Sequence, residues 1–302
     1  AFGQMLSDSL NVPVGLILNA VGGSPCESWI DRRTLEFNYP GILNNWTKND
    51  RIQDWVRERA SLNIKKSDNS QQRHPYEPCY LFESGIIPLA SYPVKGVIWY
   101  QGESNAHNKE IHEILFPLLV DSWRKNWNKE FPFYYVQLSG LNRPSWPHFR
   151  DSQRRLEKII PGSGMVVSSD LGDSLDVHPK RKQEVGERLA RLALNKTYGK
   201  DIVPSGPQYK ESEFKNGYAL ISFDYANGLR TSDDKDLRSF EIAEFDGLYF
   251  PAKAIVEGDK IKVWNDKVKH PRFVRYGWAP YTNGNLVNRE LLPASTFTSS
   301  DN

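Results

Sequence analysis

One histidine in this chain stands among acids. The stretch DLGDSLDVHPK, residues 170–180, puts His178 two positions after Asp176 and near Asp170 and Asp173. A histidine held by a carboxylate is the general-base half of a nucleophilic triad. The carboxylate orients the ring and stabilises the imidazolium that forms when the base takes a proton. The same residue types also make plain turns and helix caps. A metal site would call for a second histidine about three to five positions on, and none follows.

Two more stretches carry groups of the right kind. GGSPCESWID, residues 22–31, opens with a glycine pair directly after an apolar run. Without a Cβ, Gly23 lets its backbone N–H approach a ligand, which suits an oxyanion donor as well as a simple turn. Ser24 lacks the G-x-S-x-G spacing of a nucleophile elbow and is followed by Pro25, so it is not assigned as the nucleophile. QGESNA, residues 101–106, packs Gln101, Glu103, Ser104 and Asn105 around one glycine. Gln101 has an amide donor suited to an oxyanion or a substrate hydroxyl. Glu103 could orient a histidine or bind a sugar hydroxyl. Ser104 and Asn105 could do the same, or cap a following helix.

These clusters need elements to position them. Four apolar runs read as buried parallel strands: VPVGLILNAV (12–21), KGVIWY (95–100), FPFYYVQLS (131–139) and GMVVSSD (164–170). Each runs into a polar, glycine-bearing tail. In an open parallel sheet, ligands bind beyond the carboxyl ends of the strands. Amphipathic helical patterns lie between the runs, at 47–62, 108–126, 148–160 and 181–199. Pro117 should kink the second of these or mark a helix start. Strands alternating with helices predict an α/β fold, an open parallel sheet with helices on both faces. After about residue 202 short β-type runs follow at turn-punctuated spacing, and EGDK between AIV and IKVW reads as a hairpin. The expected organisation is therefore residues 1–202 as the α/β domain and 203–302 as an antiparallel, sandwich-like β-rich domain. The first residues, AFGQMLSDSL, read as an amphipathic helix entered without a cap, as expected of a piece of a longer chain.

Composition narrows the function classes. The 302 residues carry a formal net charge of +2 with no long basic run, so nothing points to nucleic acid. No apolar run approaches the roughly 18 residues of a membrane span. Cys26 and Cys79 form no CxxC pair and have no metal spacing with the six histidines. They could pair with each other or be two buried thiols. Nine tryptophans are many, and aromatic rings stack on sugars as well as filling cores.

Taken together, WYQGESNA, the upstream GGSP and SWI, and the downstream DVHPK resemble the sialate O-acetylesterase family, carbohydrate esterases of the SGNH hydrolase superfamily. The likeness runs through most of the chain, including FRDSQRR, DVHPKRKQEVGERLARLAL, LYFPAKAIVEGDKIKVW and NLVNRELLPAS. It implies an SGNH, flavodoxin-like sheet and serine-type acyl transfer without a cofactor or metal. By that resemblance His178 is the general base, held by Asp176, with Asp173 or Glu103 as other holders. The Gly23 N–H is an oxyanion donor. The superfamily has an asparagine where GESN has Ser104, so the second donor role falls to Gln101. Trp29, Tyr100, Trp146 and Arg150 are the expected substrate contacts. The family's serine belongs to a GQSNM-type motif, and FGQM at 2–5 lacks that serine. The nucleophile strand is therefore expected from a missing segment or a second chain. The implied substrate is an acetylated carbohydrate, sialic acid or a related glycan, with acetyl xylan or another plant polysaccharide as the alternative. A non-catalytic carbohydrate-binding homologue is the alternative of another class. The analogy implies a periplasmic or extracellular location.

Overall fold

In the computed structural model, residues 1–69 and 71–300 are described. The chain divides into two compact units. The first comprises residues 1–14, 134–155 and 165–302, and the second residues 15–133 and 156–164. These bounds do not follow the change in secondary-structure character near residue 202. That change is real as a change of element type, since the last helix ends at Lys196 and strands follow from Gln208.

Among the described residues six α-helices form: α1 Phe2–Leu10, α2 Arg32–Asn38, α3 Asp54–Ile64, α4 Lys109–Trp127, α5 Trp146–Ile159 and α6 Lys182–Lys196. Three short strands, β1 Val97–Trp99, β2 Phe133–Val136 and β3 Ser163–Val166, make a parallel sheet in the order β1-β2-β3. The predicted runs at 95–100, 131–139 and 164–170 thus become strands, each shorter than its apolar run. The run at 12–21 does not. It forms no regular element among the described residues, and Leu16, Ile17 and Leu18 are exposed, Leu18 to 92%. A doubly buried parallel strand needs a neighbour on each edge, and among the described residues this run has neither.

In the second unit α4 fixes the polar turn. Asn108 caps it, its side chain accepting from the Ile111 N–H at 2.9 Å. The expected caps Ser104 and Asn105 are therefore free to point elsewhere. Pro117 lies inside α4, and the helix continues through it. Five aromatic rings assemble under the turn. Trp99 meets Trp29 and Trp123 edge-on at 5.9 Å, and Phe133 meets Trp99, Trp123 and Phe116 at 6.1 Å or less. Offset and edge-to-face pairs of this kind add to plain area burial. Trp29, Trp123 and Trp146 are buried in the core.

In the first unit α1 packs on α6, where Gly186 comes so close to Ala1 and Phe2 that a Cβ would sit 3.0 Å from the Ala1 side chain. Among its described residues the β-rich region holds ten strands: β4 Gln208–Lys215, β5 Tyr218–Asp224, β6 Arg230–Thr231, β7 Phe240–Ala243, β8 Phe250–Pro251, β9 Lys253–Glu257, β10 Lys260–Trp264, β11 Phe273–Tyr276, β12 Leu286–Val287 and β13 Phe297–Thr298. Two four-stranded sheets, β4-β5-β10-β9 and β13-β11-β7-β8, share one core of residues such as Ile221, Ile242, Ile261, Val274 and Phe297. Alternation along β5 and β10 sends every second residue into that core. The expected hairpin joins β9 to β10, Glu257 opposite Lys260. Among the described residues no helix is long and apolar enough to cross a membrane.

Candidate active site

In the first unit the loop after β3 presents His178. Its Nδ1 lies 3.0 Å from Asp176 Oδ1, and its backbone N–H donates to the same oxygen at 2.9 Å. The D-x-H spacing makes this possible, because a short Asp side chain turns back on the backbone two residues later. These hydrogen bonds, backbone first, hold the Asp176 carboxyl below its ordinary range. With Nδ1–H pointed at a carboxylate, the proton-accepting face is Nε2, which has no partner among the described residues, and the side chain is 83% exposed. The other aspartates are engaged elsewhere. Asp170 takes a two-pronged pair from Arg188 at 2.7 and 2.6 Å, and Asp173 accepts the Leu175 N–H. Of the three aspartates, the one against His178 is Asp176.

The second unit builds the glycine and glutamine cluster. Gly23 has φ +77°, and a Cβ there would lie 2.6 Å from Tyr76 Oη and 2.8 Å from the Trp55 ring. Only glycine fits this position. Gly23 is exposed and its N–H has no acceptor among the described residues, which leaves it available to an oxyanion. Its carbonyl accepts from Ser104 Oγ at 2.9 Å. Glu103 is half-buried in the same turn.

Gln101 does something other than what its residue type suggests. Its Nε2 donates to Asn105 Oδ1 at 2.7 Å and to the Ser24 carbonyl at 3.2 Å. A primary amide has two N–H groups, so both are committed inside the protein and neither is offered to an oxyanion. The expected second donor is thereby corrected: Gln101 holds backbone in place. Ser24 is likewise engaged, donating to the Val21 carbonyl and accepting from Trp29 Nε1 at 2.9 Å.

Three expected substrate contacts are also corrected. Trp29 and Trp146 are each 2% exposed, with indole N–H groups bonded to Ser24 and to the Ser139 carbonyl. Arg150 is fully buried and donates to the carbonyls of Gly277, Ala279 and Pro280, clamping that loop of the first unit. Burial draws its guanidinium down to about 9. Large side chains closed off in this way cannot meet a substrate. Tyr100 is half-buried.

The residue that the sequence reading passed over is Glu27. It sits in a one-turn 3-10 helix, Cys26–Trp29, with 1% exposure. Its Oε2 accepts from Asn105 Nδ2 at 2.9 Å. Burial pushes its carboxyl up to about 7, against which its own backbone N–H and Asn105 pull down. The one signal in the sequence is an acid inside GGSPCESWI, a stretch otherwise small or apolar. Cys26 and Cys79 are both buried free thiols, and burial raises both, which leaves them inert as nucleophiles. Among the described residues no group of three or more His, Cys, Asp or Glu is placed to hold a metal.

Comparisons with known proteins converge on one chemistry. Residues 51–195 match the family model described as carbohydrate esterase, sialic acid-specific acetylesterase. The chain is 30% identical over 277 residues to the sialate O-acetylesterase of Mus musculus, covering 80% of this chain and 50% of that one. It is 29% identical over 266 residues to the human sialate O-acetylesterase, covering 80% and 47%. It thus spans about half the length of the curated relatives it matches. The crystal structure of a carbohydrate acetylesterase from Xanthomonas citri superposes with a TM-score of 0.82 at 32% identity, covering 99% of this chain and 64% of that one.

Proposed function

This chain belongs to the sialic acid-specific acetylesterase family of carbohydrate esterases, and from that premise we propose that it removes O-acetyl groups from sialic acid or a related glycan by serine-type acyl transfer. The observation that carries the mechanism is the pair made by His178 and Asp176. One carboxylate oxygen holds both the ring Nδ1 and the backbone N–H of the histidine, leaving Nε2 to act as base.

In this reading a serine hydroxyl attacks the acetyl carbonyl while His178 Nε2 takes its proton. The family resemblance assigns the oxyanion to the Gly23 N–H and the serine's own N–H. The C–O bond to the sugar breaks, and His178 returns the proton to the departing hydroxyl. Water, deprotonated by the same histidine, then attacks the acyl-enzyme and releases acetate. Loss of one oxyanion donor costs about 3 to 4 kcal/mol where it has been tested, so Gly23 is a principal contributor.

The serine is assigned to a segment outside residues 1–302. Ser24 and Ser104 direct their hydroxyls to backbone carbonyls. In the second unit Leu16, Ile17 and Leu18, and Ile98 on β1, carry apolar side chains to the surface, and among the described residues β1 stands at the edge of its sheet with no neighbour on its outer side. A further strand carrying the nucleophile would supply that neighbour. By the same family analogy the enzyme works in the periplasm or outside the cell.

The test is hydrolysis by the full-length protein. Release of p-nitrophenol from p-nitrophenyl acetate, abolished in His178→Ala, supports acyl transfer. Comparing acetate release from O-acetylated sialic acid and from acetylated xylan sets the sugar. Binding of acetylated glycan with no turnover would replace the esterase with a carbohydrate-binding protein.

A further inference from the structure

A carboxylic acid buried without a cation calls for a reason. Glu27 has no ion-pair partner among the described residues, and its side-chain bond is to Asn105. A leucine of similar volume would fill the space without the cost of burying a polar group. Packing alone therefore does not explain the residue, but the geometry around it does.

Glu27 Oε2 accepts from Asn105 Nδ2 at 2.9 Å, as a carboxyl oxygen does whether or not the group carries a proton. Asn105 must then turn Nδ2 toward Glu27 and Oδ1 away from it. That Oδ1 receives the Cys26 N–H at 2.8 Å and Gln101 Nε2 at 2.7 Å. Gln101, required to offer its amide nitrogen, reaches the Ser24 carbonyl with the second N–H. Ser104, one residue before Asn105, holds the Gly23 carbonyl at 2.9 Å. Three side chains of one turn therefore grip the backbone at residues 23, 24 and 26, and the polarity of two of them is dictated from Glu27. What the grip leaves unbonded is the Gly23 N–H.

We infer that Glu27 is a positioning residue for the ester hydrolysis: through Asn105 it orients the 101–105 turn that fixes the direction of the Gly23 N–H. This rests on the proposed role of that N–H as oxyanion donor. Without an acceptor at position 27, Asn105 is free to flip. Its Nδ2 would then face two other donors, the Cys26 N–H and Gln101 Nε2, and the grip would open. A donor misplaced by a fraction of an ångström stabilises the transition state less while leaving substrate binding unchanged.

The full-length protein provides the test, with three variants. Glu27→Gln keeps an oxygen acceptor at the same reach, Glu27→Leu removes it, and Glu27→Asp keeps the carboxyl but is too short to reach Asn105. Steady-state kinetics on p-nitrophenyl acetate should show Glu27→Gln keeping at least about a third of the wild-type kcat. Glu27→Leu and Glu27→Asp should each lose about tenfold or more in kcat, with KM within about twofold. Hydrogen exchange at the Cys26 amide, read by NMR, should stay slow in the wild type and Glu27→Gln and accelerate at least about tenfold in the other two. If Glu27→Leu does not fold, Glu27→Asp carries the comparison. Gln and Asp variants behaving alike, or a loss confined to KM, overturns the inference. If the wild type hydrolyses no acetyl ester, the esterase reading fails by itself. The Cys26 exchange then tests only whether Glu27 orders the turn: acceleration in Glu27→Asp and Glu27→Leu but not in Glu27→Gln upholds that ordering, and unchanged exchange in Glu27→Asp rejects it.

Discussion

Glu27→Gln should reveal a pH-dependent cost that the wild type carries for its buried acid. The carboxyl is pushed from an ordinary 4.5 up to about 7 by burial. At 1.36 kcal/mol per pKa unit, that displacement amounts to about 3 kcal/mol. The sign follows from linkage. In the folded state the acid keeps its proton to higher pH than in the unfolded chain. Between pH 4.5 and 7 the unfolded state therefore binds fewer protons, and stability falls as pH rises. The contribution is fully present below about 4.5 and is lost through about 7. Glutamine keeps an acceptor for Asn105 and does not titrate. The stability of Glu27→Gln relative to wild type should thus rise by about 2 to 3 kcal/mol from pH 5 to pH 8. Other titrating groups, including the nearby Cys26 thiol, are shared by both proteins and largely cancel in the difference. Urea unfolding curves of both proteins at pH 5, 6, 7 and 8, read by tryptophan fluorescence, give the numbers. A difference that stays flat across that range, or that shrinks as pH rises, would refute burial of a protonated acid at this position.

Further outcomes follow from the same geometry. His178→Ala should reduce kcat on p-nitrophenyl acetate by at least about a hundredfold, and Asp176→Asn by a comparable factor because the imidazole loses its fixed tautomer; activity within tenfold of wild type in either variant removes the pair from the mechanism. Gly23→Ala must place a Cβ 2.6 Å from Tyr76 Oη at φ +77°, so it should lose about 2 to 4 kcal/mol in chemical denaturation as well as most activity. Arg150→Met deprives three backbone carbonyls of their donor and should lower stability by about 3 kcal/mol or more with KM unchanged. A raised KM at unchanged stability would return Arg150 to the substrate.

Local elements and short-range pairs are legible in the linear pattern of residues, and long-range contacts are not. The amphipathic runs became α4 and α6, and EGDK became a hairpin, because periodicity and turn chemistry are local. The His178 and Asp176 pair was legible for the same reason, since its partners are two residues apart and bond across a single turn. The orientation of Gln101 was not. Its partners Ser24 and Asn105 belong to different stretches of chain, and only their convergence shows that both amide hydrogens are occupied. Trp29, Trp146 and Arg150 looked able to meet a sugar, and burial alone assigned them to packing and loop clamping. The run at 12–21 has the composition of a strand interior, but composition supplies no neighbour to pair with. Glu27 is the sharpest case. An acid in a loop reads as solvent-facing until tertiary contacts enclose it, and the same contacts that raise its pKa place it against Asn105. The sequence by itself determined periodic elements, turns and short-range pairs, whose energies depend on neighbours along the chain. The tertiary structure decided burial and the direction of shared hydrogen bonds, which depend on groups far apart along the chain, 130 residues for Arg150 and Pro280.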